Sequence, residues 1–221
     1  MEVFMQIHIR PFKTVDAAEL QSAILESVGH IGPWLDWATP RYSLADARSW
    51  VSESRILWAR QTTYRWLITD EDLRNVWGSV EIGRPVPGSE AGRMGYWIRR
   101  QALGKGICTR ASRAALNYVF QRGLFNQVDL YIDPSNEPSK AVARKLGAQL
   151  EVEKGAETSD RDVAKPALHF SVTAEKLAGP KATERGLGSM ASECVSIETL
   201  AAKKTGGSVY EFRRSLKKAR A

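Results

Sequence analysis

Gly95-Tyr96-Trp97-Ile98-Arg99-Arg100-Gln101-Ala102-Leu103-Gly104-Lys105-Gly106-Ile107-Cys108-Thr109-Arg110 reads as a strand, a tight glycine loop and the first turns of a helix. Tyr96 to Ile98 are aromatic and β-branched residues that suit a pleated strand. Gly104 and Gly106 let the backbone take φ > 0 and let a ligand approach closely. From Ile107 the apolar positions Ala111, Ala114, Ala115 and Tyr118 recur at helical spacing, and Gly123 ends the run. A loop that opens a helix presents unpaired N–H groups at the positive end of the helix dipole, which makes an anion site of pyrophosphate size. The loop is not a P-loop, because no Gly-Lys-Ser/Thr follows four spacer residues. Nor is it a dinucleotide fingerprint, because the third glycine and the acidic residue about twenty positions on are missing.

Upstream of this stretch, Gln6-Ile7-His8-Ile9-Arg10-Pro11-Phe12 alternates as a first strand that Pro11 stops. Asp16 is placed to cap a helix whose Ala17, Leu20, Ile24 and Val28 share a face. Residues 29–40 read as a loop carrying His30, Trp34, Asp36 and Trp37. Ser43 caps the next helix, with Ala47, Trp50, Val51, Ile56 and Leu57 on its apolar side. Residues 63–69 and 76–82 form a hairpin around a turn at Asp70-Glu71-Asp72, and residues 83–92 make a loop. Downstream of the glycine loop come a strand at 127–132 and a short helix at 137–146 with Pro138 in its first turn and Gly147 after its end. A closing hairpin of 150–152 with 168–172 completes the order. It predicts an α+β fold with one mixed, mostly antiparallel central sheet flanked by helices.

A chain of 221 residues has room for one domain plus an appendage. We expect residues 1–176 to form the domain and residues 177–221 a basic C-terminal extension. Of the formal charge of +7, nearly all lies beyond position 202, where seven basic residues face the single acid Glu211. Such a tail fits contact with a ribosome or a nucleic acid, or simply a solvated, partly helical terminus. Two distant cysteines, Cys108 and Cys194, imply no disulfide framework and fit a reducing compartment. The N-terminus lacks a signal-peptide pattern, and no apolar run approaches membrane-spanning length, so the expected location is cytoplasmic with no membrane contact. Three histidines and two cysteines show no ligand spacing, and no metal site is expected. The chain is expected to act as a monomer or homodimer.

Gln101-x-x-Gly104-x-Gly106 resembles the Arg/Gln-x-x-Gly-x-Gly/Ala pyrophosphate-binding motif of the GNAT acetyltransferases. Gly-Tyr-Trp-Ile before the loop and Gly-Lys-Gly-Ile-Cys-Thr-Arg-Ala across it are similar to the Rim branch, whose members acetylate N-terminal amines of ribosomal proteins and which also has relatives acting on small amines. Pro33-Trp34-Leu35-Asp36-Trp37 resembles a Rim-type acceptor-pocket segment, and Asn136-Glu137-Pro138-Ser139 a Rim-type Asn-x-x-Ser. The resemblance covers about residues 6–175 and implies the GNAT (acyl-CoA N-acyltransferase) fold with acetyl-CoA as co-substrate.

Acetyl transfer from a thioester to an amine needs a neutral amine within attack distance, a donor for the developing oxyanion and an acid for the leaving thiolate. The resemblance implies that the strand Tyr96-Trp97-Ile98 binds the pantetheine arm, pairing through Ile98, that Gln101 to Gly106, among them Leu103, Gly104 and Lys105, hold the pyrophosphate, that Ile107 is cofactor-binding, and that Asn136 binds the arm. It places Ser139 near the sulfur as the acid and Glu81 as the base. His30, Trp34, Asp36 and Trp37 are the expected acceptor-binding residues. Asn136 also has a purely structural reading as a helix cap. Arg99-Arg100 and Arg110 stand where the family commonly has carboxylates, which leaves room for a catalytically idle acyl-CoA-binding regulatory module beside the enzyme. The acceptor is either a protein N-terminus or a small amine.

Overall fold

The computed structural model describes residues 6–70, 72, 75–84, 89–151, 156–158, 165–178 and 195–197. The strands among them are β1 (Ile7–Pro11), β2 (Thr63–Asp70), β3 (Val76–Gly83), β4 (Ala91–Ile98), β5 (Gln127–Ile132), β6 (Gln149–Leu150), β7 (Ala156–Thr158), β8 (Lys165–Thr173) and β9 (Val195–Ile197). The helices are α1 (Ala17–Ile31), α2 (Leu44–Ala59), α3 (Ile107–Gln121), α4 (Glu137–Lys145) and α5 (Ala174–Ala178). The sheet runs in the order β6-β8-β5-β4-β3-β2-β1-β9, and β7 pairs with β8 beside that path. Neighbours are antiparallel except β4 with β5 and β1 with β9. The mixed, mostly antiparallel sheet expected from the element order is therefore the one observed, as are the β2–β3 hairpin and the β6–β8 pairing.

Strict alternation sorts the side chains onto two faces. On one, Trp66, Ile68, Val80, Ile82, Met94 and Ile98 pack with Ile107, Ala111, Ala115 and Tyr118 of α3. On the other, Leu67 and Trp97 pack with Leu20, Ala23 and Ile24 of α1 and Ala47 and Val51 of α2. Each fully buried aliphatic side chain of this kind contributes about 1.5–3 kcal/mol. The sheet is thus sandwiched between α3 and the α1–α2 pair, and this holds β4 rigidly in the centre.

Local signals account for the helix ends. Ser43 caps α2 through a reciprocal box: its Oγ accepts from Asp46 N at 3.2 Å and Asp46 Oδ2 accepts from Ser43 N at 2.9 Å. Asn136 Oδ1 caps α4 by accepting from Ser139 N at 3.1 Å. Three expectations change. Asp16 is not a side-chain cap of α1; its two oxygens accept from Arg10 Nη1 and Nη2 at 2.8 Å each in a pair that is almost wholly buried. An uncompensated Arg10 would be far more costly than a lost cap, so the carboxylate goes to the guanidinium. Helix α1 does not stop before Gly29 but runs to Ile31, which puts His30 on the helix rather than in a loop. A helical glycine costs only about 1 kcal/mol, and burial of Ile31 offsets it. Ile56 of α2 is exposed, and Ser54 and Trp58 take the inward positions. The turn residue Glu71, residues 85–88 of the loop expected at 83–92, and the basic residues of 203–221 lie outside the described residues.

Candidate active site

The β4–β5 ladder has only three rungs, Ala91↔Gln127, Gly92↔Val128 and Arg93↔Asp129. Beyond Arg93, β4 stays paired to β3 and β5 to β8, so the two parallel strands part and a gap opens along the second half of β4. Arg99 N–H donates to Trp77 O at 2.8 Å, which fixes the register at the end of β4. By antiparallel alternation the N–H and C=O groups of Trp97 and Gly95 then point at β3, and those of Ile98, Tyr96 and Met94 point into the gap. One of these edge groups already has a partner: His30 Nε2 donates to Ile98 O at 2.8 Å, and His30 Nδ1 is buried with no partner.

Past β4 a 3-10 turn, Arg100–Ala102, leads into the glycine loop. Gly104 and Gly106 have φ of +74° and +68°, and a Cβ on either would meet nothing within 4 Å. The requirement for glycine here is backbone conformation and not crowding. Residues 103–106 are exposed, and Gly106 occupies the N-cap position of α3, so the first N–H groups of that helix open onto the loop. The side chain of Gln101 instead turns back to α1, where Nε2 meets Glu26 Oε2 at 3.3 Å. It joins the Arg99 clamp, whose Nε and Nη1 donate to Glu26 at 2.7 Å and Glu19 at 2.6 Å.

Across the gap from β4 stands the start of α4. Tyr96 hydroxyl lies 3.0 Å from Ser139 Oγ and donates to Ser139 O at 3.1 Å. Burial, with a smaller push from Cys108, raises the Tyr96 phenol well above its usual range, against which the Ser139 hydrogen bond pulls only partly. The phenol is therefore a proton donor at any physiological pH. The Cys108 thiol on α3 is likewise pushed up to about 12 by burial, with Ser112 pulling back, and is not a ready nucleophile. Both groups hold their protons in the folded chain and release them in the unfolded one from near their ordinary values of 9.0 and 10.0. The unfolded state thus binds fewer protons there, and stability falls as pH rises. We expect the Tm to decline steadily from about pH 9 upward; a Tm that stays flat over that range would contradict the assigned burial.

On the opposite face of β4, Glu81 pairs directly with Gly95. Its Oε2 accepts from Arg65 Nε at 2.7 Å, and its side chain is 37% exposed. A Cβ on Gly95 would stand 3.4 Å from Glu81 Oε1, an ordinary contact, so that oxygen lies over β4 at Gly95. Of the expected acceptor residues, Trp37 lies 5.9 Å from Trp50, stacked at 27°, and 6.0 Å from Tyr42. Trp50 in turn lies over the Arg65 guanidinium at 3.8 Å, so Trp37 is joined to Glu81 through two further side chains. Trp34 is 38% exposed and makes no ring contact among the described residues, and Asp36 is exposed.

Residues 6–149 match the family model described as the acetyltransferase (GNAT) domain. The chain belongs to the GNAT acetyltransferases. Among relatives of this GNAT chain, Bacillus subtilis (strain 168) YdaF, named as a candidate ribosomal N-acetyltransferase, is 28% identical over 146 residues, 64% of this chain and 76% of YdaF. A Mycobacterium smegmatis RimJ structure in complex with CoA-disulfide is 26% identical with a TM-score of 0.66, covering 76% of this chain and 82% of RimJ. The microcin C7 self-immunity acetyltransferase MccE, solved with acetyl-CoA and AMP, shares the fold at 20% identity and a TM-score of 0.68, covering 76% of this chain and 92% of MccE. The reaction class of this GNAT chain is acetyl-CoA-dependent N-acetyl transfer. No helix among the described residues is long and apolar enough to cross a membrane.

Two features of the site are not legible in the sequence. The Tyr96 side chain meets Ser139, and Arg65 bridges to Glu81. The Gly-Tyr-Trp stretch marks Tyr96 as special, but only strand register brings Arg65 opposite Glu81.

Proposed function

We propose that this chain acetylates the α-amine of a protein N-terminus by direct attack on acetyl-CoA in the β4–β5 gap. The observation that carries the reading is the flanking of one open strand edge by a carboxylate on one side and a hydroxyl pair on the other. The site fits the co-substrate. The glycine loop and the N–H groups opening α3 suit a diphosphate, Lys105 adds charge, and the gap-facing groups of Tyr96 with the N–H of Ile98 suit an amide-bearing arm in strand-like pairing. Asn136, half-buried and already capping α4, lies beside that path.

Acetyl-CoA supplies a thioester carbonyl open to attack by an amine. Glu81 Oε1 takes the amine proton, directly or through water, as the N–C bond forms. A backbone N–H on the gap edge of β4 donates to the developing oxyanion. The Tyr96–Ser139 pair gives a proton to the sulfur as the C–S bond breaks, so the products are the acetamide and free CoA. His30, Trp34, Asp36 and Trp37 form the acceptor side in this reading. A protein acceptor is favoured by the name of YdaF, a candidate ribosomal N-acetyltransferase; MccE, solved with acetyl-CoA and AMP, keeps a small-molecule acceptor as the second possibility. The expected boundary at 176 gives way, because α5 crosses it and β9 pairs with β1; we take the elements through α5 together with β9 as the catalytic unit, the basic residues of 203–221 as an appendage that contacts the ribosome, and the cytoplasm as the location.

The test is CoA release, read with a thiol reagent, from acetyl-CoA and a panel of N-terminal peptides, polyamines, amino acids and aminoglycosides. Release with the peptides is expected. Release with small amines alone would overturn the acceptor class, and binding of acetyl-CoA with no release to any amine would overturn the activity.

A further inference from the structure

Arg65 stands at the middle of β2, directly opposite Glu81 in the β2–β3 ladder, with only 6% of its side chain exposed. Its Nε donates to Glu81 Oε2 at 2.7 Å, and its Nη1 donates to Glu53 Oε2 at 2.8 Å and to Ser54 Oγ at 3.4 Å. Its guanidinium carbon lies 3.8 Å from the centroid of Trp50, which stacks on Trp37. Burial pulls its proton affinity down, but Glu81 and then Glu53 more than restore it, so the cation stays charged. One planar group thus ties β2, β3, α2 and the acceptor loop together at the edge of the site. A charge buried this deeply is a poor source of stability, because its desolvation offsets much of the attraction to its partners. An apolar residue would serve the core as well. What only an arginine supplies is two directed N–H bonds and a flat face at once.

We infer that Arg65 is a positioning residue for acetyl transfer: it occupies Glu81 Oε2, so that Oε1 stands over Gly95 beside the gap, and it holds the Trp37–Trp50 wall in register with that oxygen. The inference rests on the reading of Glu81 as proton acceptor. The charged groups around Glu81 are Arg65 from β2 and, through it, Glu53 from α2; on β4, Gly95 faces it directly, and Arg93, two positions away on the same face, lies over the Tyr131 ring.

A double-mutant cycle in kcat separates positioning from simple support. At about pH 7, Arg65→Gln is expected to lower kcat about 100-fold, as a misplacement near 1 Å does, with the KM for acetyl-CoA unchanged. Made in a Glu81→Gln background, the same change should cost less than about twofold, because Arg65 acts through a group already disabled. Arg65→Lys keeps the charge but not the fork, and should lose at least about tenfold. The deficit of Arg65→Gln should also shrink toward about pH 9, where an α-amine sheds its proton unaided. If the cost adds in full to that of Glu81→Gln, or if the deficit is the same at both pH values, Arg65 merely supports the fold and the inference is overturned. Where Arg65→Gln fails to fold, Arg65→Lys goes through the same cycle, and the same outcomes support or overturn the inference. A Glu81→Gln variant as active as the wild type would overturn the proton-acceptor reading by itself, before any cycle is read.

Discussion

Glu81→Gln lowers kcat about 100- to 1,000-fold at about pH 7, the usual scale for removing a general base. The substitution keeps the shape of the side chain and an oxygen for Arg65 Nε, so the β2–β3 ladder and the Arg65 bridge have no reason to rearrange. What disappears is the carboxylate oxygen placed over Gly95. Glu81 lies on the α1–α2 side of the sheet, away from the glycine loop and α3, so the KM for acetyl-CoA should change less than about twofold. The loss should also fade as pH rises past the range of the acceptor amine, about 7.7–8.0 for an α-amine, since a neutral amine no longer needs a proton acceptor for attack. A pH–rate profile of the variant beside the wild type reads both features. An unchanged kcat at neutral pH, or a loss that appears wholly in the KM for acetyl-CoA, contradicts the role.

The second large effect belongs to the opposite side of β4. Tyr96→Phe and Ser139→Ala are each expected to lower kcat less than about tenfold, and together about 100-fold or more. Their hydroxyls sit 3.0 Å apart at the mouth of α4, so either can deliver the proton when the other is gone. Losing both leaves the thiolate to depart unprotonated. The phenol is raised by burial and stays protonated across the working range, so neither single variant should move the alkaline limb of the rate profile below about pH 9. Two single variants already as slow as the double would show one obligatory acid instead of a shared pair. A double variant with full activity would remove this pair from the chemistry.

The architecture was legible where one local pattern allowed a single outcome. Alternation in 127–132 and the aromatic run at 96–98 gave strands, and the Gly104–Gly106 spacing before an apolar helical face gave the loop and α3. The caps at Ser43 and Asn136 follow from residue type and are seen as hydrogen bonds. Two of the failures are cases where a tertiary partner outweighed the local signal. Asp16 suits a helix cap, but buried Arg10 claims both its oxygens. Gly29 looks like a helix end, yet α1 continues and delivers His30 to the carbonyl of Ile98, 68 positions away. The Glu53–Arg65–Glu81 bridge depends on which rung of the ladder faces which, and a one-residue slip would abolish it. Residues 195–197 pair with β1, which no pattern in the tail announced.

Whether the half-open edge of β4 and the helix start beside it form the acetyl-CoA site is read most directly by a titration of the full chain with CoA, followed by backbone amide NMR. The largest shifts are expected at Tyr96 and Ile98 in the gap, through Gly104 to Thr109 at the start of α3, and at Asn136 and Ser139 across from them, while β1 and β2 stay still. Shifts confined to the β1–β9 edge or the acceptor loop, with Tyr96, Ile98 and the glycine loop unmoved at saturation, would contradict that site.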